Sequence, residues 1–568
     1  MPGPQPGDPS SPGSVQAPSS RTAWHRRGAD LHHQPSPTVA MATNLKRAKI
    51  STGYEDIISA SELLQSGPPA VYQLKPEKQL IGTLKRIRIG KKTSGKVNKT
   101  ILLVGETGTG KSTLIDALVN HAIGVKFEEK VWFQIVEEED RSQTESQTSD
   151  VIVYEIFGFE GKTLPFSLTI IDTPGYGDTR GLERDSIVRQ RLFDLFRTEG
   201  GVQEINVVGL VVKASENRVS DRMRYIFDSV MSLFGKDLEN NIVALMTHSD
   251  GMPPRNALRA LEAADIKCAK TRNGPPVHFL FNNCQTNQRD EETEDALKNA
   301  WRQTEKGLQK FAEFLNQTGP QKLKKTKEVL ISQICLTASI HNLQERIKSA
   351  DKTKEAIEKT KMKLQMHEKD LDNDKNFTTQ VPEHYKVLES YGRGSSWFSF
   401  DGVTRCKVCE ENCHYPGCTV AWIASLCEVM SNDRCTVCTR KCSVGDHVKD
   451  TQRYVSKTRT VKKTLNDIKE GYEAQVNDTS SLLKVLDQKI QLLEAEIKQW
   501  VDGAFRHVLK LRDNALIVKT VSTSAHLDLL IKKMKEEGDN QKVQILEEIA
   551  GRVDEGDKAL LRKTFGET

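Results

Sequence analysis

The 568-residue chain has little of what marks several protein classes. It contains no apolar run near the roughly 20 residues that span a membrane, and its first residues lack the apolar core of a signal peptide. The net charge is only +5 and aromatic residues make up 6% of the chain, so no bulk attraction to nucleic acid is expected. We therefore expect a soluble, cytoplasmic protein without nucleic acid as its partner.

The N-terminal region changes composition twice. Residues 1–45 are rich in Pro, Ser, Gly and His with few apolar anchors, which predicts a disordered tail, and Met41 offers a second start. Residues 46–94 are predicted to form a linker and a basic segment. No acidic residue lies between Glu77 and Glu106, whereas eight basic residues do: Lys78, Lys85, Arg86, Arg88, Lys91, Lys92, Lys96 and Lys99. This basic segment fits either a solvated edge strand and loop or a contact with an anionic membrane surface.

A phosphate-binding loop comes next. Residues 105–113 read Gly-Glu-Thr-Gly-Thr-Gly-Lys-Ser-Thr, after the apolar run 100–104 and before the helical pattern 114–118. In such a loop the backbone amides wrap phosphates, Lys111 reaches the β- and γ-phosphates, and the Ser112 hydroxyl binds Mg²⁺. The predicted nucleoside triphosphate site comprises Gly105, Glu106, Thr107, Gly108, Thr109, Gly110, Lys111, Ser112 and Thr113.

Strands and helices alternate beyond this loop. Helical patterns such as 218–234 separate apolar runs, which predict strands at 151–156, 166–172, 205–212, 242–246 and 277–281. This order predicts an α/β fold, the G domain of a P-loop NTPase, with a mainly parallel sheet and helices on both faces. The ligand of such a sheet lies at the C-terminal ends of the strands.

Residues that sense the γ-phosphate are expected at those ends. Asp172-Thr-Pro-Gly175 ends the second strand, so that a carboxylate faces Mg²⁺ and the Gly175 amide faces the γ-phosphate. Thr148 is preferred as the switch I hydroxyl that binds Mg²⁺, with Ser142 and Thr144 as the competing choice. We expect Lys111, Thr148, Asp172 and Gly175 to carry catalysis.

The strand 242–246 ends in Thr247-His-Ser-Asp250. The Asp250 carboxylate can accept two hydrogen bonds from guanine N1 and N2, which adenine cannot donate. Hydrogen bonds to charged groups contribute about 1.5–3 kcal/mol each, which suffices for a preference for guanine.

Several of these motifs resemble those of known GTPase families. Asp-Thr-Pro-Gly-Tyr-Gly-Asp at 172–178 resembles the septin switch II, while Leu-Phe-Gly at 233–235, Thr-His-Ser-Asp at 247–250 and Phe-Asn-Asn at 281–283 resemble immunity-associated and plastid-import-receptor GTPases. This septin-like resemblance implies a GTP-binding domain over 95–315 that forms a homo-oligomer by nucleotide-dependent dimerisation. It also implies base contacts from Asn282 or Asn283 and from His248, beside Thr247. The Lys of the usual Asn-Lys-x-Asp motif is replaced by His248.

Hydrolysis is expected to be slow. Ras-like GTPases orient the attacking water with a Gln directly after Asp-x-x-Gly, and Tyr176 occupies that place here. An arginine supplied in trans would raise the rate by about 10³–10⁵-fold. Arg180 and Arg184, just past switch II, are candidates for it, or are ordinary solvated surface residues.

Cysteine is concentrated in residues 400–450, where eight of the eleven cysteines lie between 406 and 442. Two Cys-x-x-Cys pairs 25 residues apart predict a structural zinc module, and the surplus of ligands predicts two ions. Disulfides and an iron–sulfur cluster are the alternatives. The candidate ligands are Cys406, Cys409, Cys413, His414, Cys418, Cys427, Cys435, Cys438, Cys442 and His447. For one ion, Cys406, Cys409, Cys435 and Cys438 are the first choice.

Heptad patterns flank the zinc module. Apolar residues recur at Val329, Leu336, Leu343, Ala350, Ile357, Leu364 and Leu371, with Ile340 and Ile347 beside them, and again at Leu465, Tyr472, Leu486, Leu493 and Trp500. They predict a coiled-coil helix over 320–399 and a returning coiled coil with further helices over 455–568. The simplest topology is an antiparallel hairpin with zinc at its tip, which would bind protein partners. A compact helical bundle is the alternative.

These observations predict a guanine-nucleotide-binding assembly switch that uses GTP, Mg²⁺ and Zn²⁺. The rival interpretation is a structural scaffold that binds GTP but hardly hydrolyses it. A third is a zinc module that binds nucleic acid or a protein under control of the G domain, because Arg405, Lys407, Arg434, Arg440 and Lys441 surround the cysteines.

Overall fold

The computed structural model describes residues 54–137, 150–175, 182–216, 221–366, 378–391, 402–418, 423–471, 479–518 and 520–551. Several predictions concern residues outside these ranges: the disordered tail with Met41, the switch I hydroxyls of Ser142, Thr144 and Thr148, and Tyr176, Arg180 and Leu371. The side chain of Arg184 also lies outside the described part. None of the described helices is long and apolar enough to cross a bilayer.

The G domain is built on an eight-stranded sheet. Its strands are β3 (Glu77–Ile81), β4 (Leu84–Ile89), β5 (Asn98–Gly105), β7 (Ile152–Ile156), β8 (Ser167–Asp172), β10 (Val207–Lys213), β11 (Ile242–Thr247) and β12 (His278–Leu280). The spatial order is β12-β11-β10-β5-β8-β7-β4-β3. Strands β12, β11, β10, β5 and β8 run parallel, whereas β7 is antiparallel to β8 and β3 is antiparallel to β4. The predicted G-domain fold is confirmed, with a mixed sheet.

Helices cover both faces of this sheet. In β5, Ile101 and Leu103 face one hydrophobic cluster, and Leu102 and Val104 face the other. All four side chains are buried, as expected for a central parallel strand. The helices of the G domain are α1 (Glu55–Ser59), α2 (Lys111–Ile123), α3 (Leu182–Arg197), α4 (Asp221–Met231), α5 (Arg255–Ala263) and α6 (Glu294–Gln317).

The interpretation of residues 46–94 as a linker is wrong for the part that the structure describes. Strands β1 (Glu62–Gln65) and β2 (Ala70–Gln73) form a small sheet with β6 (Val131–Gln134), and β3 and β4 extend the central sheet. In β4, Leu84 and Ile87 are buried, whereas Lys85 is exposed and Arg86 is partly exposed. Leu84 and Ile87 face the two different hydrophobic clusters of the sheet, and the high density of basic residues around them hid this strand.

A long helix, α7 (Lys324–Met366), leaves the G domain and pairs with α9 (Thr479–Asn514). Ion pairs join Lys354 to Glu494 and Lys361 to Asp487, so rising numbers on α7 meet falling numbers on α9 and the helices run antiparallel. The described heptad residues on α7 that are buried are Val329, Leu336, Ile340, Leu343, Ala350, Ile357 and Leu364. The short helix α8 (Leu465–Gly471) precedes α9, and α10 (Val521–Glu536) and α11 (Asn540–Ala550) follow it.

The predicted helix over 320–399 is wrong for residues 378–390. Residues 378–390 form strand β14 (Thr378–Ser390), which pairs antiparallel with β20 (Gln452–Thr464) along its whole length. β-Branched residues such as Val455, Thr458 and Val461 favour an extended chain there. The returning coiled coil predicted from residue 455 is likewise wrong at its start, because residues 455–464 belong to strand β20.

This β14–β20 ribbon places the Cys/His module away from the tip of the hairpin. Each ribbon strand has 13 residues, or about 43 Å at 3.3 Å per residue. The helical path from Ala338 to Met366 is about 42 Å at 1.5 Å per residue. The ribbon thus returns the chain along α7, and the cysteines share a cluster with Cys335 and Ala338 near the start of α7. The predicted zinc-tipped stalk is therefore wrong.

The Cys/His module consists of short elements. A three-stranded sheet comprises β15 (Gly402–Cys406), β16 (Glu411–Cys418) and β19 (His447–Asp450), and a small hairpin comprises β17 (Met430–Ser431) and β18 (Arg434–Cys435). The two-residue strands β9 (Glu204–Ile205) and β13 (Gln321–Lys322) pair at the base of the G domain. Short 3₁₀ helices occur at Phe127–Glu129, Lys236–Asn241, Ala424–Leu426 and Val444–Asp446.

Candidate functional site

The predicted nucleotide motifs meet at one edge of the sheet. The loop after β5, the end of β8, the loop after β11 and the loop after β12 all follow parallel strands, so they share the C-terminal edge. Thr247 Oγ1 donates to the Thr109 carbonyl at 2.6 Å, which ties the guanine motif to the phosphate-binding loop. Ser249 N donates to Phe281 O at 3.0 Å, which ties it to the loop after β12.

The phosphate-binding loop, Glu106–Gly110, needs glycine at its close turns. Gly110 precedes α2 with φ of +85°, a left-handed conformation that glycine adopts at low cost. Gly175 approaches the loop so closely that an added Cβ would lie 2.2 Å from Thr107 Oγ1. The Asp-Thr-Pro-Gly motif and the phosphate loop are therefore in direct contact, as expected for two parts of one site.

Lys111 lies at the centre of this loop. Its Nζ donates to Gly105 O at 3.0 Å and to Glu106 O at 3.1 Å. Burial lowers the pKa of Lys111 to about 8, while the nearby Asp172 and Glu106 carboxylates act in the opposite direction. Asp172 is fully buried at the end of β8. A phosphate beside this ammonium group would favour its charged form.

The base end of the site is more open. His248 and Asp250 are exposed, whereas Thr247 before them and Ser249 between them are buried. Partial desolvation of the His248 ring lowers its pKa, and Lys213 lowers it further, so the imidazole is neutral at neutral pH. Asp250 Oδ1 accepts a hydrogen bond from Met252 N at 2.9 Å, which holds the carboxylate on the loop.

Thr304, on α6, is a residue of this end that sequence reasoning missed. Its hydroxyl accepts from Asn282 N at 2.9 Å and donates to Asn282 O at 2.8 Å, which fixes the turn that presents Asn282 and Asn283. Asn283 Nδ2 is buried and has no hydrogen-bond partner among the described residues. Burying an amide donor without a hydrogen-bond partner costs free energy. An acceptor atom of a ligand would therefore bind favourably to Asn283 Nδ2.

Comparison with known proteins found similarity to the G domain. Residues 96–185 match the septin family model. Structural neighbours include Toc33 from Arabidopsis thaliana with GDP and Mg²⁺ (18% identity, TM-score 0.26, 39% of this chain and 86% of that chain). Another is Toc33 with Mg²⁺ and GMPPNP (18% identity, TM-score 0.26, 40% and 88%). For the chloroplast translocon components atToc33 and psToc159, dimerisation is described as important for GTPase activity (18% identity, TM-score 0.27, 39% and 85%).

No curated protein sequence shows significant similarity to the chain. The phosphate loop, the Asp-Thr-Pro-Gly motif and the order of the strands define the class, a P-loop GTPase domain. Within this domain, residues 96–185 are similar to the septin family.

The Cys/His module brings together all ten predicted metal ligands, but in groups that the spacing did not reveal. One tetrad is Cys406, Cys409, Cys438 and Cys442, and a second is Cys413, Cys435, Cys438 and His447. The tetrads share Cys438. The first choice of Cys406, Cys409, Cys435 and Cys438 differs from this grouping, because the two Cys-x-x-Cys pairs lie in different tetrads and only Cys438 belongs to both. A third group consists of His414, Cys418 and Cys427.

The geometry of the two tetrads suits metal-bound thiolates. Backbone amides of Cys409, Cys438 and Cys442 donate to sulfur atoms at 3.2–3.3 Å. His447 Nδ1 donates to Ser443 O at 2.7 Å, and its buried Nε2 has no hydrogen-bond partner among the described residues. In metal-binding histidines, the N–H of the second ring nitrogen characteristically donates a hydrogen bond to such an acceptor.

Without a cation, ionising the cysteines of the two tetrads to thiolates would cost considerable free energy. Burial raises the pKa of Cys406 to about 11, and burial also raises the pKa of Cys413 well above its usual value. Hydrogen bonds from Cys413 and then Cys435 lower the pKa of the shared Cys438. The Cys438 thiolate at the shared position is thus stable without a cation. Ionisation of further cysteines would need a positive ion nearby.

Many of the basic side chains singled out in the sequence are engaged within the protein. Around the module, Arg405 pairs with Asp450 at 2.7 Å, and Lys441 donates to Val437 O at 3.3 Å. In the basic segment, Arg88 pairs with Glu155 at 2.7 Å and Lys78 with Glu137 at 2.6 Å. Lys99 is buried and donates to Thr318 O at 3.0 Å. These contacts weaken the case for a nucleic-acid or membrane surface.

Proposed function

We propose that this protein is a GTP-dependent assembly switch that binds Mg²⁺ and hydrolyses GTP slowly. The observation that carries the proposal is the meeting of four nucleotide motifs at one edge of the sheet, tied together by the bond from Thr247 to Thr109. In this proposal the phosphate loop and Lys111 hold the triphosphate, Ser112 and Thr148 bind Mg²⁺, and Asp172 and Gly175 respond to the γ-phosphate.

Preference for guanine rests on the base end of the site. The Asp250 carboxylate is exposed to a ligand and offers two acceptor oxygens, while Asn283 Nδ2 offers a donor. Guanine carries N1 and N2 donors and an O6 acceptor, which complement this arrangement. The neutral His248 ring, which lies next to the Gly110 position, suits stacking on a base.

Assembly through the G domain follows from the septin-like character of that domain, and slow hydrolysis follows from Tyr176 in place of the usual Gln. The paired helices α7 and α9 offer a surface for protein partners.

The rival function is a scaffold that binds GTP but scarcely turns it over. Turnover per molecule that rises with protein concentration favours the switch, and turnover independent of concentration favours the scaffold.

The Cys/His module is proposed to bind two zinc ions in its two tetrads, with the Cys438 thiolate as a bridge. A thiolate has enough lone pairs to serve two ions, and the ligand set of cysteines with one histidine suits zinc. Free thiols in all eleven cysteines agree with a reducing compartment such as the cytoplasm.

Calorimetry on the full chain tests nucleotide binding. Wild-type protein is expected to bind GTP and GDP with Mg²⁺ and to bind ATP at least 10-fold more weakly. Lys111→Ala is expected to lose both guanine nucleotides, and Lys91→Ala, on the exposed loop after β4, serves as the control that keeps them. Equal affinity of the wild type for ATP and GTP would refute the guanine assignment, and unchanged GTP binding by Lys111→Ala would refute the site.

A further inference from the structure

The third Cys/His group lies apart from the tetrads, on the side of the module that faces the G domain. His414 and Cys418 come from β16, and Cys427 follows the 3₁₀ turn Ala424–Leu426. All three side chains are buried. The side chain of the next residue, Glu428, contacts Gln190 and Arg197 of α3 in the G domain. The group therefore sits at the junction between the module and the G domain.

The three ligand atoms converge as a metal site requires. One ligand atom from each of His414, Cys418 and Cys427 lies within 4.8 Å of the other two. His414 Nδ1 is 3.2 Å from Cys427 Sγ. In a tetrahedral zinc site, bonds of about 2.1 Å to nitrogen and 2.3 Å to sulfur place the two atoms about 3.6 Å apart. Closing to that geometry would need a shift of a few tenths of an ångström.

Glu428 lies beside this group. Its Oε2 lies 3.2 Å from His414 Nδ1, while its Oε1 accepts from Gln190 Nε2 at 2.8 Å and pairs with Arg197 Nη1 at 2.9 Å. The Glu428 carboxylate is 1% exposed, so its negative charge is buried next to the group. Because His414 Nδ1 is also the atom that faces Cys427 Sγ, Glu428 acts on an ion there through its charge and not through a hydrogen bond to the second ring nitrogen.

We propose that His414, Cys418 and Cys427 form a third zinc site, separate from the two tetrads, with the buried Glu428 carboxylate as a neighbouring negative charge. The site shares no ligand with either tetrad, so its ion binds and leaves independently of theirs. Two thiolates and one imidazole favour a borderline ion such as Zn²⁺ over Mg²⁺ or Ca²⁺. Because Gln190 and Arg197 of α3 hold Glu428, docking of the module on the G domain completes the site.

Metal content of the full chain tests the stoichiometry. Protein purified under reducing conditions and equilibrated with Zn²⁺ is expected to contain three zinc ions per chain, measured by mass spectrometry. His414→Ala and Cys418→Ser are each expected to contain two. Two ions in the wild type would overturn the third site alone, with His414 then simply protonated between Cys427 and Glu428. No bound zinc would overturn the proposed two-ion cluster as well.

Cobalt substitution keeps the test decisive if a ligand variant misfolds. The wild type titrated with Co²⁺ is expected to show a separate set of visible bands from a site with two thiolates, beside those from thiolate-rich tetrads. Glu428→Gln preserves the shape of the side chain, removes a buried negative charge beside the cation and is expected to weaken only this ion, by about 10-fold or more. Arg434→Ala, an exposed residue of β18, is the matched control. Equal weakening of all three ions by Glu428→Gln would contradict a local effect of this charge.

Discussion

Arg197, at the end of α3, pairs with the buried Glu428 of the Cys/His module, with Nη1 and Oε1 2.9 Å apart. The same helix begins a few residues after the Asp-Thr-Pro-Gly motif, and its Arg191 Nε donates to Asp150 Oδ1 at 2.6 Å. Asp150 lies two residues beyond Thr148, the switch I threonine of the proposal. Helix α3 therefore connects the module to the chain near both proposed switches.

Arg197→Ala is expected to loosen the module from the G domain. The substitution leaves the Glu428 charge buried with less compensation, at a cost of about 1–3 kcal/mol, since Arg197 is partly exposed. Hydrogen exchange should then become about 10-fold faster or more in residues 423–431. Arg302→Ala, on the exposed face of α6, should leave these rates unchanged. Unaltered exchange in Arg197→Ala would show that the ion pair does not hold the module.

Asp250→Asn is expected to change which base is bound. The substitution removes the acceptor for guanine N1 and N2, so GTP affinity should fall by about 1.5–3 kcal/mol for each bond lost. Xanthine nucleotides, which carry an oxygen at position 2, should then bind better than guanine nucleotides. Competition with labelled nucleotide measures both affinities. An unchanged order of preference would place the base elsewhere.

Strong chelation is expected to unfold residues 402–450, whereas a reductant alone should not. Structural zinc contributes an apparent ~10–16 kcal/mol in small finger peptides, against about 2–4 kcal/mol for a disulfide. Limited proteolysis with chelator, with reductant and with neither distinguishes the two chemistries, and the G domain should remain intact throughout. Cleavage of the segment on reduction alone would favour disulfides.

Stability is expected to fall below about pH 6.5 through His526 on α10. Burial lowers the pKa of this imidazole to about 3, and the nearby His341 and Arg189 lower it further. The unfolded chain takes up a proton near pH 6.5 while the native state resists it, so stability is lost as pH falls from about 6.5 to 3. The expected loss is at most about 1.4 kcal/mol per pH unit, the limit for one proton.

Denaturant titrations at pH 8 and pH 5 measure this effect. His526→Gln removes the titrating group and should reduce the difference in unfolding free energy between the two pH values. A variant with the same pH dependence as the wild type would exclude His526 as its source.

The nucleotide motifs were predictable because each follows a buried strand, and strand order brings their ends together. The phosphate loop and the strands ending at Asp172 and Thr247 needed only local pattern and chain order. Thr304 gave no signal, since a threonine within a helix becomes part of the site only through its bonds to Asn282.

The arrangement of the C-terminal half was less predictable. Heptad spacing on α7 identified the buried face, but the same helical pattern was extended over residues that form the β14–β20 ribbon. The ligand groups of the module depend on which loops cross in space, so Cys438 joins both tetrads although its nearest partner in sequence, Cys435, belongs to only one. Spacing alone cannot reveal such interleaving.

Nucleotide-dependent mass in solution tests the central claim most directly. Sedimentation of the full chain with Mg²⁺ should show a dimer or larger assembly with a non-hydrolysable GTP analogue and a monomer with GDP. Lys111→Ala should stay monomeric with either nucleotide. The same mass for the wild type with GDP, with the analogue and without nucleotide would contradict a GTP-dependent assembly switch.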